Sequence, residues 1–175
     1  MIPLGIMASA RASSSWTPAS LPNLWGWWKA DAITSLNDGD PVASWTDSSG
    51  NGRTGTQSDA SRKPTYRASV SGANIAAMPV VQFDGTSNLL ALPAQPGNDQ
   101  TVIALYRNDG NAGPVLYCKV AAGHSAARKQ NNFLRVVGTT ADSTNAVPQS
   151  SFVVGVWRFS DTNNTFSYRL NGSAN

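Results

Sequence analysis

The chain has no glutamate: all ten of its acidic residues are aspartates, so any mechanism that calls on a Glu as acid, base or nucleophile is excluded. Cysteine and histidine are almost as scarce. With Cys118 the only thiol and His124 the only imidazole among 175 residues, one chain can build neither a disulfide framework nor a His/Cys zinc cluster. No apolar run approaches the ~18 residues that a bilayer-spanning helix needs, so no membrane insertion is expected. Nor is a face for nucleic acid, because the nine Arg and four Lys give a net charge of only +3 and are scattered, their densest group being Arg62, Lys63 and Arg67. Residues 1–10 are apolar and end in Ala-Ser-Ala, as a secretory cleavage site would, yet no Lys or Arg precedes them. That disfavours an ordinary signal peptide.

What is present describes one modest domain, long enough to bury roughly 70% of its unfolded surface without staples. Residues 1–23 read as an N-terminal arm: an apolar start, then Ser13-Ser14-Ser15, with Pro18 and Pro22 closing it. The folded domain is expected over residues 24–175. Candidate strands are 24–29, 42–45, 79–83, 88–92, 100–107, 115–119, 132–137, 151–160 and 165–170. Turn formers separate them, among them Asp38-Gly39-Asp40-Pro41, Ser49-Gly50-Asn51-Gly52, Asp84-Gly85, Asn108-Asp109-Gly110 and Asn171-Gly172. Along 165–170, Phe166, Tyr168 and Leu170 alternate with Thr165, Ser167 and Arg169, as in a strand with one wet face, and such strands imply antiparallel sheets. No segment carries a helical stripe of useful length. The class is all-β, an antiparallel two-sheet sandwich or jelly roll.

The last candidate strand runs into Asn171-Gly172, the start of a hairpin turn, and the sequence stops at Asn175. A hairpin without its second strand leaves an unpaired edge. The domain is therefore expected to be incomplete at its C-terminus, as a piece of a longer protein or with another chain supplying the strand.

Three groups of residues carry a family resemblance. Leu24-Trp25-Gly26-Trp27-Trp28-Lys29-Ala30-Asp31 and the run from Asp38-Gly39-Asp40-Pro41 through Trp45-Thr46-Asp47-Ser48-Ser49-Gly50-Asn51-Gly52 resemble the opening of concanavalin A-like, laminin G-like jelly-roll domains. Lys63-Pro64-Thr65-Tyr66 and Pro79-Val80-Val81-Gln82-Phe83-Asp84-Gly85 look like that family's next signposts, in order. The likeness covers residues 24–92 well and the rest mainly as alternating strands. The family's usual closing strand pair, its Gly-x-Ile-Ala-Glu segment and its short helix have no counterpart here. The resemblance implies two curved antiparallel sheets and binding to sugars or proteins, sometimes with calcium, but this fold hosts lectins, glycanases and structural modules alike. Separately, residues 1–10 resemble the openings of small virion proteins, minor tail proteins especially, from phages of actinobacteria.

Glycanases of this architecture work by a carboxylate pair, and those resembling this family place two Glu around an Asp on one strand. Here there is no Glu, and Asp38 and Asp40 flank Gly39 in a turn rather than alternating on a strand. A Ser-His-Asp arrangement would need His124, which lies among small residues without a nucleophile-elbow pattern. Cys118, inside an apolar strand, reads as a small buried hydrophobe. No catalytic residue is assigned. The loop 47–52 has two readings. Asp47 and Asn51 are calcium candidates by their oxygens, but a turn capped by Asp47, with positive φ at Gly50 and Gly52, explains the same residues without a metal or cofactor.

Trp25, Trp27, Trp28, Trp45 and Trp157 all lie in or beside expected strands, where large rings build a core. Trp25 and Trp27 fall on one face of strand 24–29 and Trp28 on the other, so Trp27 and Trp28 are the candidates for stacking on a sugar. Trp16, with Ile2, Leu4 and Ile6, is the candidate docking arm, received by an adjoining subunit in a groove or along a sheet edge. The expected function is a non-catalytic module on a virus particle, a phage minor tail or other surface protein. It would bind host-surface carbohydrate or neighbouring virion subunits, as a homo-oligomer or in a larger assembly. The alternative is a secreted, extracellular carbohydrate-binding or adhesion domain of a bacterium.

Overall fold

Frequent turns leave room only for short strands, and every ladder they form is antiparallel. The computed structural model describes residues 16–93, 100–107, 112–118, 126–130, 133–137, 142–146, 151–160, 165–171 and 173–174. Ile2, Leu4, Ile6 and His124 lie outside them. Strand β1 (Ser44–Trp45) pairs with β2 (Gly55–Thr56), and β3 (Thr65–Val70) with β4 (Met78–Gln82). A four-stranded sheet follows the spatial order β12 (Ser173–Ala174), β11 (Thr165–Leu170), β10 (Phe152–Ser160), β5 (Gln100–Arg107). Between β5 and β10 in the sequence, β6 (Ala112–Cys118), β7 (Ala126–Gln130), β8 (Phe133–Val137) and β9 (Asp142–Ala146) form a separate four-stranded meander. Among the described residues there is no α-helix, only single 3-10 turns at Pro18–Ser20, Ala30–Ala32 and Ala60–Arg62. The chain is all-β.

Two clusters are fully buried among the described residues. In the first, Val42, Pro64 and Tyr66 close on one another as Val42 N–H donates to Pro64 O (2.8 Å) and Tyr66 N–H to Asp40 O (2.8 Å). The second is on β10, where Phe152, Val153 and Trp157 are buried and Tyr106 of β5 packs its ring 5.9 Å from that of Trp157. Gly155 is part of this packing, since a Cβ there would run into the Trp157 ring two residues along the same face. Asn74 ties the β3–β4 hairpin to β10: its amide donates to Phe152 O (2.8 Å) while its oxygen accepts from Phe152 N–H (3.0 Å). Arg107 adds a hydrogen bond to Ser71 O and lies over the Phe152 ring.

Strands expected at 100–107, 151–160 and 165–170 appear as β5, β10 and β11, and those at 79–83 and 132–137 as β4 and β8. Two others do not form. Residues 24–29 make only an isolated bridge, Trp28 with Asp47, because side chains and loop amides take up their backbone groups. Residues 88–92 are held by Leu89 N–H to Arg62 O and by Ala91 paired with Thr56, not by a ladder with β4. Asp84-Gly85 is accordingly a turn but not a hairpin, since β4 already pairs with β3. The hairpin expected to lack its return strand has a short one, with Arg169 opposite Ala174 and Leu170 opposite Ser173. Asn171, at φ 48°, makes the turn and bonds Val154 through its N–H and its side-chain oxygen.

Candidate functional site

The site begins with one carboxylate. Asp47 is 8% exposed, and its Oδ1 accepts from Trp27 N–H (2.9 Å) and Ser49 N–H (2.8 Å), while Oδ2 accepts from the Ser49 hydroxyl (2.7 Å) and Arg53 N–H (3.1 Å). Burial pushes this carboxyl up, and the four donors together outweigh it and bring it down to about 2. Four donors occupy the four acceptor positions a carboxylate has, which makes Asp47 a staple between the loop 47–53 and the tryptophan segment. Asn51 completes the staple, its amide nitrogen donating to Leu24 O (2.8 Å), Trp25 O (3.3 Å) and the Ser49 hydroxyl (3.1 Å). Gly50 and Gly52, at φ 87° and 71°, let the loop fold back on itself. The two calcium candidates are thus joined in a hydrogen-bonded loop. Among the described residues no group of His, Cys or Asp side chains is arranged to hold a metal.

The staple fixes four tryptophans. Trp25 and Trp28 pack with ring centroids 5.7 Å apart and planes 53° to each other, so they do not point to opposite faces as a strand would have required. The Trp28 indole N–H donates to Arg53 O (2.9 Å), that of Trp45 to Lys29 O (2.9 Å), and that of Trp25 is enclosed. Trp27 differs. Like the other three it is half-buried, but its backbone is clamped by Asp47 and by Ser48 N–H on its carbonyl (2.6 Å), and its indole N–H has no protein acceptor among the described residues. Lys29 Nζ lies 5.1 Å from its ring centroid.

Residue types alone did not single out Arg53. Its guanidinium bonds Trp25 O and lies 5.1 Å from the Trp25 ring, and its own carbonyl anchors Trp28. The available signal was its position just after Gly50-Asn51-Gly52, where the loop must return to the tryptophans. Trp16, 68% exposed, stands apart beside the turn at Pro18–Ser20, and the side chain of Cys118 lies outside the described residues.

Five other aspartates are engaged by hydrogen bonds or ion pairs. Asp84 Oδ1 accepts from the N–H groups of Thr86, Ser87 and Asn88, each at 2.9 Å, and these with the Ser87 hydroxyl hold its carboxyl well below the usual carboxylate range, Asn88 most strongly. Asp59 is lowered by the Ser61 hydroxyl and then the Ser61 N–H, capping the turn Ala60–Arg62. Asp38 accepts from Ala68 N–H and faces Arg67, Asp40 accepts from Asn37 N–H, and Asp31 faces Lys29. An open depression of about 480 Å³ between Ala43, Thr56, Gln57, Arg62 and Leu89 has no carboxylate in its lining. Comparisons with family models, curated proteins and solved structures return no match.

Proposed function

We propose that this chain is a non-catalytic recognition module, a concanavalin A-like jelly roll carried on a virus particle as a minor tail or other surface protein. It holds host-surface glycan against Trp27 and meets neighbouring subunits through its sheet. The observation that carries this reading is the presentation of Trp27, a half-buried ring on a backbone clamped at both its N–H and its carbonyl, with an indole N–H that has no acceptor among the described residues. A sugar ring offers C–H groups to an aromatic face and hydroxyls to a donor, and a fixed ring loses little entropy on binding. The absence of Glu and the engagement of Asp31, Asp38, Asp40, Asp47, Asp59 and Asp84 in hydrogen bonds or ion pairs support binding without turnover. The all-β content, with two four-stranded antiparallel sheets, supports this reading of the fold. The particle assignment rests on the likeness of residues 1–10, which lie outside the described residues.

Retention of the protein on immobilised bacterial cell-wall polysaccharide tests the site. Trp27→Ala is expected to lower retention by about tenfold and Trp27→Phe to restore most of it. Equal retention of wild type and Trp27→Ala would remove Trp27 from the account. Recovery of the chain in purified particles, rather than in culture supernatant free of phage, separates the virion reading from a secreted adhesion domain.

A further inference from the structure

Strands β5 and β10 are apolar on both faces; the face bearing Trp157 is buried, whereas the other is covered only at its Phe152 end, by Gly72 and Arg107. Register places Ile103 opposite Val156 and Leu105 opposite Val154. These four aliphatic side chains form a two-by-two block on the face away from Trp157, and Ile103, Leu105 and Val154 are 60%, 48% and 39% exposed. Continuous apolar runs such as Val102-Ile103-Ala104-Leu105 and Val153-Val154-Gly155-Val156 are the mark of strands buried on both sides.

The surroundings of the block have one sign. Arg169 of β11 stands beside Val156, Arg158 follows at the next position of the face, and both are exposed with no ion-pair partner among the described residues. Thr101 and Ser167 flank Arg158, so this face carries no acid on its described residues. Four side chains cover only part of the roughly 800 Å² per partner that a stable interface needs, so the cationic border must take part in any contact. A second copy of this chain would bring arginine against arginine there.

We infer that this face docks a different protein, through a strand or sheet surface with alternating aliphatic residues bordered by carboxylates. The partner's apolar side chains meet Ile103, Leu105, Val154 and Val156, and its acids meet Arg158 and Arg169. This deepens the subunit-binding half of the proposed function and is independent of Trp27, so either can fail without the other.

The probe is a synthetic strand peptide whose one face carries valine or isoleucine at successive alternate positions and then glutamate at the next alternate positions, with serine filling the opposite face, titrated onto the full chain by fluorescence anisotropy. Its control replaces each glutamate with lysine. The acidic peptide is expected to bind, with affinity falling at high salt and falling about tenfold in Leu105→Ser and in Arg158→Glu, two exposed positions whose folding is checked by melting temperature. The lysine peptide is expected not to bind. Equal binding of both peptides, binding of neither, binding unchanged by both substitutions, concentration-dependent dimerisation through this face, or attachment to anionic lipid vesicles in place of the acidic peptide would overturn the inference.

Discussion

At the scale of single residues, the molecule uses aspartate where a backbone must be held without a ladder. Asp47 is the clearest case, and its lowered pKa has a stability consequence. A carboxyl at about 2 in the folded chain, against 3.8 as the ordinary value, contributes stability that is fully present above pH 4 and lost as pH falls through 2. The contribution is on the order of 2 kcal/mol. Urea unfolding measured from pH 5 to about pH 2 should show this loss in the wild type and a flatter profile, from a lower starting stability, in Asp47→Asn. Asp84 acts in the same direction, but solvent screens it. The sequence signal for the staple, Asp47-Ser48-Ser49-Gly50-Asn51-Gly52, showed a capped turn. It did not show what the turn was capping, because the hydrogen bonds from Trp27 N–H to Asp47 and from the Asn51 amide to Leu24 O span about twenty residues or more and have no local pattern.

At the scale of elements, legibility followed apolar alternation. Strand β11 has it, β5 and β10 carry continuous apolar runs instead, and the sequence bounds match the structure at those three strands almost residue for residue. Strands β7 (Ala126–Gln130) and β9 (Asp142–Ala146) lack it, and β2 is a glycine and a threonine, so nothing in their composition separates them from loops. Residues 24–29 failed in the opposite way, with strand-like aromatic content but backbone groups claimed by side chains. Packing between elements rests on two small features. Gly155→Ala should cost about 1–3 kcal/mol, because the new methyl meets the buried Trp157 ring and neither can retreat. Asn74→Ala should cost about 1–2 kcal/mol by leaving Phe152 N–H and C=O without their amide partner. Thermal unfolding of both variants checks these values, and an unchanged melting temperature would mean that the hairpin and β10 do not depend on that contact.

At the scale of the whole molecule, the sequence established an all-β chain of antiparallel sheets, while its layer arrangement belongs to the proposal. The proposed function rests on what the surface presents: a clamped tryptophan on the loop-stapled segment and an aliphatic block with an arginine border on β5 and β10. Neither was fully visible beforehand. Trp27 and Trp28 looked equivalent until the Trp28 ring was found packed on Trp25, and the aliphatic block depends on a register between strands about fifty residues apart. The central claim is recognition without turnover, and one paired measurement tests it most directly. Tryptophan fluorescence is followed while soluble bacterial cell-wall polysaccharide is titrated in, and reducing ends are counted in the same samples. The predicted result is a saturable fluorescence change in the wild type, its loss in Trp27→Ala, and no reducing ends released by either. Release of reducing ends that disappears on changing one aspartate, or a saturable change that survives in Trp27→Ala, would contradict it.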